Sequence, residues 1–141
     1  MGDEALLMKT AELIESLPDE ALCSHKNVFK LVWELEAEVN NGGFQQYFLN
    51  SSGRNALRAA KALKELGAEK CAALVERALD AVNAAKIHWE NDSSRQTDIE
   101  NLDESKEEAL SEIDEAFYQY PDNLSDLLTA YVTSHQVNFG I

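Results

Sequence analysis

Cysteine is nearly absent from this 141-residue chain. Cys23 and Cys71 are the whole complement; they lie far apart in helical patterns. They read as reduced, buried small residues rather than as a disulfide or a metal pair. Proline is as scarce: Pro18 and Pro121 alone, each where a helical pattern stops. No apolar run approaches the ~18 residues needed to span a bilayer. The N-terminus lacks a basic region followed by an apolar one, so no signal peptide is visible and the expected location is the cytoplasm. Strand-like alternation is missing throughout, which leaves an all-α fold. Repeats, low-complexity tracts and linkers are missing too, so residues 1–141 read as one compact domain of about six helices.

Positive charge is the most telling shortage. Twelve Lys and Arg face 26 Asp and Glu, a formal net charge of −14. Such a chain repels nucleic acid and anionic membranes, and its natural partner is basic. Hydrophobic residues still make up 45% of the chain, enough for a real core and against general disorder. The acids are unevenly placed. Residues 1–38 hold nine acids and three bases, and residues 90–126 hold thirteen acids and two bases. Residues 39–89 hold four acids and seven bases, a mildly basic middle. A charge excess kept only for solubility need not be segregated in this way.

Apolar spacing places the helices. Leu6, Leu7, Leu13, Ile14 and Leu17 form a first stripe, stopped by Pro18. Val28, Leu31, Val32, Leu35 and Val39 form a second, over residues 27–39. Residues 53–66 predict a helix with Leu57, Ala60, Leu63 and Leu66 inward and Gly67 as its C-terminal stop. Residues 68–88 predict a longer alanine-rich helix seamed by Leu74, Val75, Ala78, Leu79 and Val82. Residues 91–97 are polar and read as a loop. Residues 100–120 predict an acidic helix closed by Pro121, and residues 124–135 the last helix.

Between the second and third helices lies Asn40-Asn41-Gly42-Gly43-Phe44-Gln45-Gln46-Tyr47-Phe48-Leu49-Asn50. Two asparagines and two glycines stop the preceding helix, since both residue types tolerate a left-handed conformation. Phe44, Tyr47 and Phe48 then resume helical spacing and offer aromatic rings to a core. Asn50, Ser51 or Ser52 is placed to cap the helix that follows. One reading is a tight corner packed with aromatics, in which Asn41, Gly42, Gly43, Phe44, Gln46, Tyr47, Phe48 and Asn50 serve the fold. The other is a ligand site built from Asn41, Gln45 or Gln46.

The acidic helix carries the strongest functional argument. At roughly 100° per residue, Leu102, Ala109, Leu110, Ile113, Ala116 and Phe117 share one arc. Glu100, Asp103, Glu104, Glu107, Glu108, Glu112, Asp114 and Glu115 share the opposite half. That is about one carboxylate per 3 Å of axis, against a phosphate about every 3.4 Å along one DNA strand. Only Lys106 interrupts the run. Like charges at i,i+4, such as Glu104 with Glu108, each cost a few tenths of a kcal/mol. A sequence selected for stability alone would pair them. Those eight acids are therefore the candidate partner-binding residues, set against the plainer reading of a solvated face.

Catalysis and metal binding find no support. His25, His88 and His135 lie on separate segments without a shared motif, and Cys23-Ser24-His25 has no zinc spacing. No Glu-x-x-His set, phosphate-binding glycine loop or nucleophile elbow occurs. The expectation is a non-enzyme with no cofactor and no metal.

The segment from Glu38 to Asn50, with its Asn-Asn-Gly-Gly-Phe-Gln-Gln-Tyr-Phe core, resembles the signature of a bacterial domain family of unknown function. Its best-known member is an acidic DNA-mimic protein. The resemblance continues through residues 56–78, where Leu66-Gly67-Ala68 joins two helices, and spans most of the chain. It implies an all-helical fold, a homodimer and binding to DNA-binding proteins such as a helix-turn-helix regulator. Joined to the charge argument, it gives the leading expectation. This is an acidic protein that covers the basic DNA-binding surface of a transcriptional regulator or nucleoid protein and does not itself bind nucleic acid. Two rivals stand beside it: an acidic inhibitor or immunity-type protein against a basic toxin or nuclease, and a helical small-ligand protein.

Overall fold

Helix α2 (Ser24–Leu49) is the spine of the computed structural model, and every other helix is placed by how it meets α2 or its immediate neighbours. The structure describes residues 2–18, 24–86 and 88–140; Cys23 and the side chain of Lys86 lie outside that description. In chain order the helices are α1 (Glu4–Glu15), α2, α3 (Ala56–Leu66), α4 (Glu69–Ala81), α5 (Asp92–Glu100), α6 (Glu104–Tyr118), α7 (Leu124–Ser134) and α8 (Gln136–Phe139). Short 3-10 turns at Ser51–Asn55 and Ala84–Lys86 join them. No strand occurs among the described residues. The fold is all-α as the periodicity requires, with eight helices among the described residues rather than about six. The two additions are α5 and α8.

The expected stripe of α2 is buried at Val28, Val32, Leu35 and Val39, while Leu31 is half-buried. The helical path breaks at Gly42 and Gly43 and resumes at Phe44. Gly43 has φ 79° and ψ −179°, a backbone region essentially closed to any residue with a Cβ. A Cβ there would also strike the carboxylate of Asp114 on α6. The turn after the break drives Phe44, Tyr47 and Phe48 into the core. Phe44 meets Phe117 edge-on at 5.8 Å, and Phe48 meets Trp89 edge-on at 4.9 Å. Such edge contacts add about 0.5–1.5 kcal/mol each beyond area burial. Gly53 lets the chain double back: a Cβ there would meet the backbone of Tyr47 and Phe48.

Helix α3 lies against α2 and α4 through Ala56, Ala59, Ala60, Ala62, Leu63 and Leu66. Leu57, expected inward, is 54% exposed. An inward face of small residues brings helix axes close, so the large side chain is not the buried one here. Helix α4 buries the expected seam but ends at Ala81 rather than at residue 88, because Asn83 turns left-handed at φ 56°. Asn50 does not cap the next turn with its side chain; its amide donates to Glu38 at 2.6 Å. At the far end, Phe139 of α8 is buried against Phe29 and Tyr131.

Candidate functional site

The acidic segment is two helices. Residues 91–97, read as a loop, are the start of α5, which ends at Glu100. Its inward residues are Arg95 and Ile99, so an apolar stripe is missing and periodicity alone cannot reveal it. A signal was present in the N-cap: the Asn91 side chain accepts the Ser94 N–H at 2.9 Å. Arg95 is fully buried. Its guanidinium donates to the carbonyls of Phe48 at 2.7 Å, Trp89 at 2.8 Å and Asn50 at 3.2 Å, and to Asp92 at 2.8 Å. It thereby pins the end of α2 to α5, a residue that the sequence reading passed over.

Asp103 then caps α6, accepting the Lys106 N–H at 2.9 Å. The eight candidate acids consequently divide. Glu104, Glu107, Glu108, Glu112 and Glu115 are exposed along α6. Glu100 is exposed but belongs to α5, and Asp103 is exposed with its side chain engaged at the cap. Asp114 departs from the expected face. It sits beside Leu110 on the wheel, is half-buried, and accepts the Phe44 N–H at 2.8 Å. That N–H loses its helical partner at the α2 break, and a buried donor left unpaired is costly. Burial pushes the Asp114 carboxyl above the ordinary carboxylate value, and the Phe44 N–H pulls against it.

The five glutamates of the exposed arc span about 17 Å of axis, near one charge per 4 Å. Among the described residues none has an ion-pair partner. Lys106 does not neutralise them: it is half-buried and sits about 160° around the axis from Glu104. The last turn of α6 carries no base, so Glu115 also faces the negative end of the helix dipole.

The end of α6 is clamped to α2 by hydroxyls. Tyr118 donates to the Val39 carbonyl at 2.9 Å. Tyr120 donates to Glu36 at 2.8 Å and accepts from the Asn40 amide at 2.7 Å. Burial raises the Glu36 carboxyl, and Tyr120 opposes that rise. Burial likewise pushes the Tyr120 hydroxyl up to about 12. The described acids of residues 1–38 differ in burial. Glu12 and Glu15 are exposed on α1, whereas Glu38 is half-buried and accepts from Gln46 at 3.1 Å and from Asn50.

Gln45 and Gln46 of the glycine corner are engaged internally. Gln46 bonds Glu38, and Gln45 donates to the Ile99 carbonyl at 3.4 Å. Asn41 is exposed. Cys71 is buried, and that burial raises its thiol to about 12, far from a reactive thiolate. Two of the three histidines come together: the rings of His25 and His135 lie 4.2 Å apart at the junction of α7 and α8 with α2. No described helix is long and apolar enough to cross a membrane.

The chain is thus an all-helical protein with an aromatic glycine corner and an acidic helix. A family model described as DMP19-like protein matches residues 20–135, and the chain belongs to that family. No curated protein and no solved structure matches the chain.

Proposed function

We propose that the exposed face of α6 is a protein-binding surface that imitates the charge of a DNA strand. It occupies the basic DNA-binding surface of a transcriptional regulator or nucleoid protein in the cytoplasm and blocks DNA by competition, without chemistry. The observation that carries this reading is the row of five exposed glutamates without ion-pair partners among the described residues. The family name, which denotes a DNA mimic protein, supports it. The homodimer implied by the resemblance belongs to the same reading. An inhibitor of a basic toxin or nuclease would use the same face and differ only in its partner.

The experiment captures partners from native cytoplasm with the parent chain and elutes them with a salt gradient. It is repeated with two variants. The first replaces Glu104, Glu107, Glu108, Glu112 and Glu115 by Gln. The fold should persist, while association slows and the salt dependence flattens. The second is Ser111→Lys, at an exposed position four residues after Glu107 and four before Glu115. It should stabilise α6 by about 0.5–1 kcal/mol through new i,i+4 pairs and still weaken the complex. Unchanged affinity and unchanged salt slope in both variants would leave α6 as a solvated face.

A further inference from the structure

The first half of α2 and the corner between the 3-10 turn at Ser51–Asn55 and α3 enclose a polar cleft of about 460 Å³. Its charge runs against that of the chain. Lys30, Arg54 and Arg58 line it with Glu34 as the one carboxylate, in a protein with 26 acids and 12 bases. Arg54 reaches Asp92 at 3.5 Å, a surface contact with both side chains nearly half exposed, and its Nε donates to the Ser51 carbonyl. Arg58 spends one donor on the Asn55 side chain at 3.1 Å and has no carboxylate partner among the described residues. Its other guanidinium donors remain available.

We propose that this cleft binds a small phosphate-bearing anion, a phosphomonoester or diphosphate. Arg58 and Arg54 line the cleft with guanidinium donors left over after their bonds to Asn55, Ser51 and Asp92. Those are more donors than the two oxygens of a carboxylate can satisfy, and they suit the three terminal oxygens of a tetrahedral phosphate. The volume falls within the roughly 300–1,000 Å³ of small-molecule sites, so a phosphate with a modest organic body fits. A polynucleotide does not suit the site. Beyond the cleft its backbone would run into the field of a −14 chain. The site is separate from the α6 face and stands whether or not that face binds a protein.

The test is calorimetric titration of the full chain with inorganic pyrophosphate at physiological salt, without divalent metal. Citrate and a short single-stranded oligonucleotide serve as the comparison anions. Saturable binding with a Kd below about 1 mM is expected. Arg58→Gln alters an exposed side chain, so it should melt like the parent and still bind at least about tenfold more weakly. Three results would each overturn the proposal: no saturable binding of pyrophosphate, equal affinity in Arg58→Gln, or tighter binding of citrate or the oligonucleotide than of pyrophosphate.

Discussion

Replacing Arg95 by Ala should cost about 3–5 kcal/mol, a large part of the 5–15 kcal/mol that holds a typical domain. The side chain is fully buried and satisfies four acceptors. The Phe48 and Trp89 bonds are buried, so those two carbonyls lose their partner where water cannot replace it, at about 1–3 kcal/mol each. Removing the aliphatic stem adds about 2 kcal/mol at roughly 0.8 per methylene. Two terms work the other way. The variant no longer desolvates a guanidinium. Asp92 is 42% exposed and rehydrates, so the ion pair itself contributes little. The total settles near the cost of removing one partner from a buried charged network.

Urea denaturation followed by far-UV circular dichroism measures it. Arg95→Met separates the terms: it keeps most of the stem and loses every donor, so it should fall between Ala and the parent. Arg95→Lys keeps the charge but cannot serve carbonyls from α2 and the Trp89 turn together, and it should recover only part of the loss. If Arg95→Ala unfolds within about 1 kcal/mol of the parent, the network does not bind α5 to α2 and the energetic reasoning fails.

Gly43→Ala should destabilise by about 1–3 kcal/mol, because its backbone conformation is essentially restricted to glycine and Asp114 blocks the Cβ. Gly42→Ala should cost less, since the atoms it meets belong to the flexible Gln46 side chain; the reverse ranking by urea midpoint would contradict the geometry. The pH dependence contributed by two buried carboxyls should run opposite to ordinary acid denaturation. Burial raises Glu36 and Asp114 above their ordinary 4.5 and 3.8, so the folded state binds more protons and stability is lost as pH rises through the raised values. The urea midpoint should therefore rise as pH falls toward those ordinary values, and Glu36→Gln with Asp114→Asn should flatten that slope. A midpoint that falls over this range and ignores both substitutions would refute the assignment.

The parts of the fold legible in the sequence are those where large apolar residues repeat. The stripes of α2, α4 and α6 are such cases, and Val28, Val75 and Ile113 are buried where spacing put them. The glycine corner was legible because two glycines after two asparagines have few other uses. Legibility failed where the inward residue is small or charged. Helix α3 faces inward with alanines, which left Leu57 misplaced, and α5 faces inward with Arg95, which made a helix look like a loop. It failed again at Asp114. A wheel locates that residue beside Leu110, but only the three-dimensional break in α2 supplies the orphaned N–H that turns its carboxylate inward. The basic cleft needed tertiary structure as well, since Lys30 and Arg58 come from different helices.

What the acids touch separates them more sharply than where they fall in the chain. Asp3, Asp103, Asp114 and Asp122 accept backbone N–H groups, and Glu38 braces the glycine corner through Gln46 and Asn50. Replacing any of these trades a satisfied donor for an unsatisfied one, so the fold alone explains their presence. The five glutamates of the α6 arc accept nothing from the described residues. They repel one another along the helix, and Glu115 faces an unfavourable dipole end. Ser111 stands among them where a lysine would have supplied i,i+4 pairs with Glu107 and Glu115. A solvated face needs charge for solubility but has no need of a single sign. Glu104 and Glu107 gain from the dipole at the first turn of α6, but the single sign of the whole arc is not required by the fold, and it is what the proposed cationic partner would use.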